Sequence, residues 1–170
     1  MSVRLRNGLE VELRPIRAED RVGLAESHAR LSPATQRARF LTAKPRLTGA
    51  ELRYLTEIDG WNHVALVAVI ASGGPPGEIV AVGRFVRLAG TPGSAEFAIV
   101  VGDSLQGQGL GTALAIALAE AARARGIRRF TATALSENVA VHRLLRTIAH
   151  HLEPTVTSGG VDELVAELAA

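Results

Sequence analysis

In the stretch LEVELRPIR, apolar Val11 and Leu13 alternate with polar neighbours, and Ile16 extends the apolar set. This alternation predicts a first strand that stops near Pro15. Asp20 stands where it can cap the next element, in which Val22, Leu24, Ala25, His28 and Leu31 recur at helical spacing. Ser32-Pro33 breaks that helix, because the residue before a proline disfavours the helical region. A short helical stretch, ATQRARFL, follows, then a turn around Pro45. Thr48 precedes GAELRYLTEI, where Leu52, Leu55 and Ile58 share one side of a helix. Glu51 lies at the capping-box offset from Thr48.

After Asp59-Gly60 the pattern changes. HVALVAVIA is short, β-branched and nearly all apolar, which predicts a strand buried on both faces. SGGPPGE is a turn, EIVAVGRFVRLA a second strand antiparallel to it, TPGS another turn and AEFAIVVGD a third strand. A glycine-rich loop, SLQGQGLG, then leads into an alanine-rich helix that Gly126 ends. RFTATAL is a strand. Asn138 starts a helix whose apolar face is Val141, Leu144, Leu145 and Ile148. The tail EPTVTSGGVDELVAEL reads as a hairpin by preference, although VDELVAELAA also has helical spacing. The order implies an α+β fold in one domain, residues 1–170, with a mixed, mostly antiparallel sheet and helices on its faces. The crossover from AEFAIVV to RFTATAL adds one parallel pairing.

Composition narrows the picture. The chain has 170 residues, 47% of them apolar, enough for a core. Aromatics are only 4%, so that core is built from Leu, Val, Ile and Ala. The absence of cysteine excludes disulfides and cysteine-type zinc sites. The first residues have no signal-like apolar core, and no window approaches 18 uninterrupted apolar residues. The expectation is a soluble, cytoplasmic protein with no membrane partner. Net charge is +2, and Lys44 is the only lysine among the basic residues. Arg123, Arg125, Arg128 and Arg129 form the densest basic cluster, without the interleaved aromatics that nucleic-acid binding would call for. No nucleic-acid partner is expected.

The glycines at 107, 109 and 111 call for a reason, since each weakens local order relative to alanine. Free N–H groups and the dipole at a helix start make an anion site, and glycines let backbone approach a phosphate closely. The loop and helix therefore suit a phosphate or pyrophosphate; the alternative is a tight turn or close packing. The P-loop pattern needs a lysine that is absent here. The dinucleotide pattern needs glycine where Thr112 stands, and it belongs to a first strand–helix unit.

Gln106-Gly107-Gln108-Gly109-Leu110-Gly111 instead matches the Gln/Arg-x-x-Gly-x-Gly/Ala signature of the GNAT superfamily of N-acetyltransferases. AEFAIVVGDSLQGQGLGTAL resembles that family's central segment, and the resemblance extends to LRPIRAED and to Asn138 in LSENVAVHRLL. RARFLTAKPRLTGAELRYLTEIDGWNHVALVAVI further resembles the acetyltransferase domain of bacterial Pat-type protein lysine acetyltransferases, through its Arg-Phe pair, its Leu-Thr helix and its Ile-Asp before the strand.

The resemblance implies a fold in which two neighbouring parallel strands splay and acetyl-CoA lies in the gap. It implies that the strand 97–101, with Ile99, Val100 and Val101, pairs its backbone with the pantetheine arm. It places Gln106, Gly107, Gln108, Gly109, Leu110, Gly111 and Thr112 around the pyrophosphate, and Asn138 near the thioester or pantetheine, where it can equally be an N-cap. Glu96 matches the general base of the Pat-type domains, with Glu137 and Asp59 as weaker alternatives. An otherwise apolar strand could supply the burial that favours a base near neutral pH. Many relatives carry a tyrosine as general acid about where Leu145 stands; the only tyrosine here is Tyr54, and the nearest titratable side chain, His142, suits a packing role better. His150 and His151 are adjacent, poor metal geometry, and no metal is expected. The implied acceptor is a primary amine, either a protein lysine or a small molecule, and a homodimer is common in the superfamily. The rival reading is a catalytically silent acetyl-CoA-binding regulatory module.

Overall fold

The computed structural model describes residues 1–170, with the side chain of Val156 left aside. The strands are β1 (Ser2–Arg4), β2 (Glu10–Pro15), β3 (His63–Ser72), β4 (Ile79–Arg87), β5 (Ser94–Val101), β6 (Arg129–Leu135), β7 (Ala149–Ser158) and β8 (Val161–Leu168). The helices are α1 (Arg21–Ala29), α2 (Pro33–Phe40), α3 (Gly49–Thr56), α4 (Leu110–Arg123) and α5 (Val139–Ile148). The strands form one eight-stranded sheet in the order β1-β2-β3-β4-β5-β6-β8-β7. Every neighbouring pair is antiparallel except β5 with β6. The tail is the hairpin of the preferred reading, β7 with β8. Among the described residues, no helix is long and apolar enough to cross a membrane.

Helices cover both faces. On one, α4 buries Leu110, Leu114, Ala115, Leu118, Ala119 and Ala122, and its small residues let it lie close to the strands. A Cβ on Gly83 of β4 would stand 2.6 Å from Leu118 Cδ1. Phe130 joins the same core, its ring centroid 5.1 Å from Phe97 and 5.7 Å from Phe85. On the other face, Leu24 of α1 and Leu55 of α3 pack with Ala65, Val67 and Val82 of β3 and β4.

Local chemistry sets most boundaries. Thr48 Oγ1 accepts from the Glu51 N–H, and the Glu51 carboxylate accepts from the Thr48 N–H, closing the predicted capping box. Ser32 caps α2, with Pro33 in the first helical position, so the proline that stops one helix starts the next. α4 ends in a Schellman turn: Ile127 N–H bonds Ala122 O and Gly126 N–H bonds Arg123 O, with Gly126 at φ +75°. The expected cap at Asp20 is not made. Its carboxylate takes two bonds from Arg14, at 2.7 and 2.8 Å, and one from the Arg17 N–H, leaving no side-chain bond to α1.

Candidate active site

The parallel pairing of β5 and β6 covers only Ser94–Arg129, Ala95–Phe130 and Glu96–Thr131. Past that point β5 stays with β4 as far as Val101, and β6 stays with β8 as far as Leu135. The two strands have separated, and a cleft of about 450 Å³ opens there. Ile99, Val100 and Val101 line it from β5, and Gln106, Gly107, Gly109, Gly111 and Thr112 from the loop and the start of α4. Asn138, half-buried, lines it from the far side and also caps α5, its Oδ1 accepting from the Val141 N–H at 3.3 Å. Both roles anticipated for Asn138 are therefore compatible.

The side chain of Leu110 is fully buried in the core, which leaves its backbone, the part expected to face a pyrophosphate, as the group available to a ligand. Gln108 is half-buried and does not line the cleft. The glycines also differ in purpose. Gly107 and Gly109 have φ of +74° and +94°, a region that L side chains rarely adopt. Gly111 is a packing glycine: a Cβ there would meet Leu144 Cδ1 of α5 at 3.3 Å. Gln106 braces the loop, its Nε2 donating to Val101 O at 3.1 Å and to Thr35 Oγ1 at 3.4 Å. Asp103 ties the same region to α2, accepting from Ser32 N–H, Ser32 Oγ and Thr35 Oγ1 at 2.9, 2.7 and 2.6 Å.

Three arginines complete the wall: Arg6 before β2, Arg39 on α2 and Arg143 on α5. Among the described residues none of them forms an ion pair with a carboxylate. Sequence reading assigned none of the three to the site; Arg39 entered it only as half of the Arg-Phe pair, and residue type alone does not separate a cleft arginine from a solvated one.

Glu96 sits at the last paired position of β5, where the strands part, and its side chain is exposed. The burial expected around it is not present. Its charge reaches Arg39: burial pushes the Arg39 guanidinium below its ordinary pKa, and Glu96 opposes that shift. Asp59 lies outside the cleft lining. The N–H of His63, then those of Trp61 and Asn62, hold its carboxylate down to about 2. Glu137 is exposed and lies outside the cleft lining. Leu145 is fully buried, and His142 faces Asp162 at 3.3 Å rather than the cleft. Tyr54 lies on α3 beside His63, with ring centroids 5.1 Å apart. Among the described residues, no three or more His, Asp or Glu are grouped to hold a metal ion.

A family model described as Acetyltransferase (GNAT) family matches residues 33–148. The chain belongs to the GNAT acetyltransferase family. Enzymes of this family take their acetyl group from acetyl-CoA. This GNAT chain is 34% identical over 143 residues to acetyltransferase Pat of Mycolicibacterium smegmatis, a match covering 84% of this chain and 42% of that protein. It therefore spans less than half the length of that relative. An acetyltransferase of Pseudomonas aeruginosa is 34% identical over 140 residues, 82% of this chain and 74% of its own. The crystal structure of the GNAT domain of S. lividans PAT superposes with a TM-score of 0.87 at 30% identity, covering 99% of this chain and 96% of that one. A phosphinothricin acetyltransferase from Sinorhizobium meliloti, solved in complex with acetyl-CoA, shares the fold at 17% identity, TM-score 0.68, over 93% of this chain and 88% of its own.

Proposed function

We propose that this chain transfers an acetyl group from acetyl-CoA to a primary amine, a protein lysine side chain or a small molecule, with Glu96 as general base. The observation that carries the reading is the cleft between β5 and β6, lined from Ile99 to the N-terminus of α4, with Glu96 outside that lining at the last paired position before the strands part.

The residues present fit acetyl-CoA. Gly107 and Gly109 leave open space where a Cβ would stand, so loop N–H groups can approach a pyrophosphate at the positive end of a 14-residue helix. Arg6 and Arg143 offer guanidinium forks without competing carboxylates. On the cleft side, β5 beyond Glu96 has no partner strand, and an extended amide-bearing arm can take its free backbone groups. Acetyl-CoA supplies the activated acetyl thioester. Glu96 holds a carboxylate at the root of the gap, able to take the proton that an ammonium acceptor must lose. Arg39 places a positive charge near that carboxylate.

A second reading, a silent acetyl-CoA-binding module, draws on one observation: the place of the usual tyrosine is filled by buried Leu145. The two part on chemistry. Thiol release that depends on an added amine and is lost in Glu96→Gln supports transfer. Thermal protection by acetyl-CoA without any amine-dependent thiol release supports the module. The resemblance to the Pat-type protein lysine acetyltransferases makes protein lysine the first acceptor to try.

A further inference from the structure

Beside the cleft, on the face covered by α1, α2 and α3, lies a second cavity of about 30 Å³. Leu24, Leu55, Val82 and Val100 give it apolar walls, and Arg39 and Arg84 give it two guanidinium groups. Arg39 and Val100 border both spaces, so the cavity adjoins the cleft. Arg84 stands on β4 between Ala65 of β3 and Ala98 of β5 and is only 6% exposed. Its Nη1 donates to Leu55 O at 3.1 Å and to His63 Nε2 at 2.9 Å; its Nη2 and Nε make no hydrogen bond among the described residues.

His63 does not neutralise it. Burial, then the charge of Arg84, holds the imidazole down to about 4, so His63 is neutral near pH 7 and its Nε2 is an acceptor. Among the described residues, no carboxylate forms an ion pair with Arg39 or Arg84. Glu96 influences Arg39 at a distance only. Two like charges therefore share a small, largely apolar space with no carboxylate in direct contact, an arrangement that an anion bound between them would favour.

A volume of about 30 Å³, room for roughly two waters, matches the two oxygens of a carboxylate. Guanidinium groups bind that anion through paired, charge-assisted bonds. Building on the acetyl-transfer reading, we propose that Arg39 and Arg84 form a carboxylate subsite for the acceptor, so that the acetylated amine lies beside a carboxylate. The acceptor's negative end enters the cavity and its amine stays on the Glu96 side. A lysine without a neighbouring acid meets two cations there. A free amino acid satisfies the subsite, as does a peptide lysine flanked by an acidic residue.

The test compares thiol release by the full chain at saturating acetyl-CoA for matched acceptors. One series pairs α-amino acids with their carboxamides; the other pairs lysine peptides carrying Asp or Asn beside the lysine. The expected result is a preference of roughly tenfold or more for the acid in one series, which also tells the free amino acid from the acidic peptide. That ratio falls toward one in Arg39→Gln, and Arg84→Lys keeps part of it. Equal rates for acid and amide in both series overturn the proposal, as does a preference untouched by Arg39→Gln. A failure of the transfer reading looks different, because no acceptor then releases thiol. Thermal protection decides the subsite in that case. With CoA present, N-acetyl amino acids protect better than their carboxamides, and the difference shrinks in Arg39→Gln. Equal protection, or protection matched by sodium chloride at the same concentration, overturns the subsite.

Discussion

Glu96 and Thr131 are the last residues across which β5 and β6 pair. Each strand keeps its outer partner beyond that point, so the opening removes pairing from one edge of each and leaves the rest of the sheet intact. The carboxylate thus stands at the root of the gap. Glu96→Gln keeps its shape and removes its ability to take a proton. The expected outcome is a fall in kcat of about 10²–10⁴-fold, read by thiol release. Thermal protection by acetyl-CoA stays at the wild-type level. A variant that turns over normally places the base elsewhere.

Gly109 is the residue immediately before α4, at φ +94°, with open space where a side chain would stand. The conflict in Gly109→Val is therefore backbone conformation, not a clash. A β-branched residue held there is strained by about 1–3 kcal/mol, or the loop shifts and its N–H groups turn from the ligand. Either route weakens acetyl-CoA binding, by roughly tenfold or more, since each 1.4 kcal/mol is a factor of ten. Calorimetric titration measures it, and unchanged affinity removes the loop from the site.

What was legible in the sequence was local. The Thr48–Glu51 box, the Asn138 cap and the glycine loop before α4 are each decided within a few residues, and each is present. The β7–β8 hairpin was legible only as a preference, because VDELVAELAA, which follows the SGG turn, also has helical spacing. What escaped depends on partners distant in sequence or on very short patterns. β1 is three residues long and carries no alternation to read. Asp20 had the chemistry of a cap, but Arg14, six residues earlier, claims its carboxylate. Arg84 looks like an ordinary surface arginine in a chain rich in them, and the Arg-Phe pair marked Arg39 only as part of a resemblance, not as a cleft residue. The one available signal was that Arg84 interrupts the apolar run IVAVGRFV, on a strand that the structure buries on both faces.

Gly83 tests how closely α4 rests on the sheet. A Cβ there would stand 2.6 Å from Leu118 Cδ1, and Leu118 is itself fully buried, so it has little freedom to move aside. Gly83→Val adds volume to a filled core and is expected to destabilise by about 1–3 kcal/mol. Urea unfolding measures this as a lower midpoint with an unchanged slope. A variant as stable as the wild type means that α4 can lift from β4 at little cost.

Asp59 gives the chain a dependence on acid that is separate from catalysis. Its Oδ1 accepts from the N–H groups of Trp61, Asn62 and His63 at 2.9, 2.8 and 2.8 Å, fixing the turn that enters β3. These bonds, that of His63 foremost, lower its pKa from 3.8 to about 2. With the folded pKa depressed, the unfolded chain binds the proton more readily, and stability rises with pH in this window. The contribution is present above the unfolded value of 3.8 and is lost as pH falls from there through about 2. Asp59→Asn carries no charge to lose. Its Tm is expected to lie below that of the wild type at about pH 6 and to converge on it as pH falls toward 2. Thermal unfolding across that range measures the gap, and a gap that stays constant with pH removes Asp59 from the acid response.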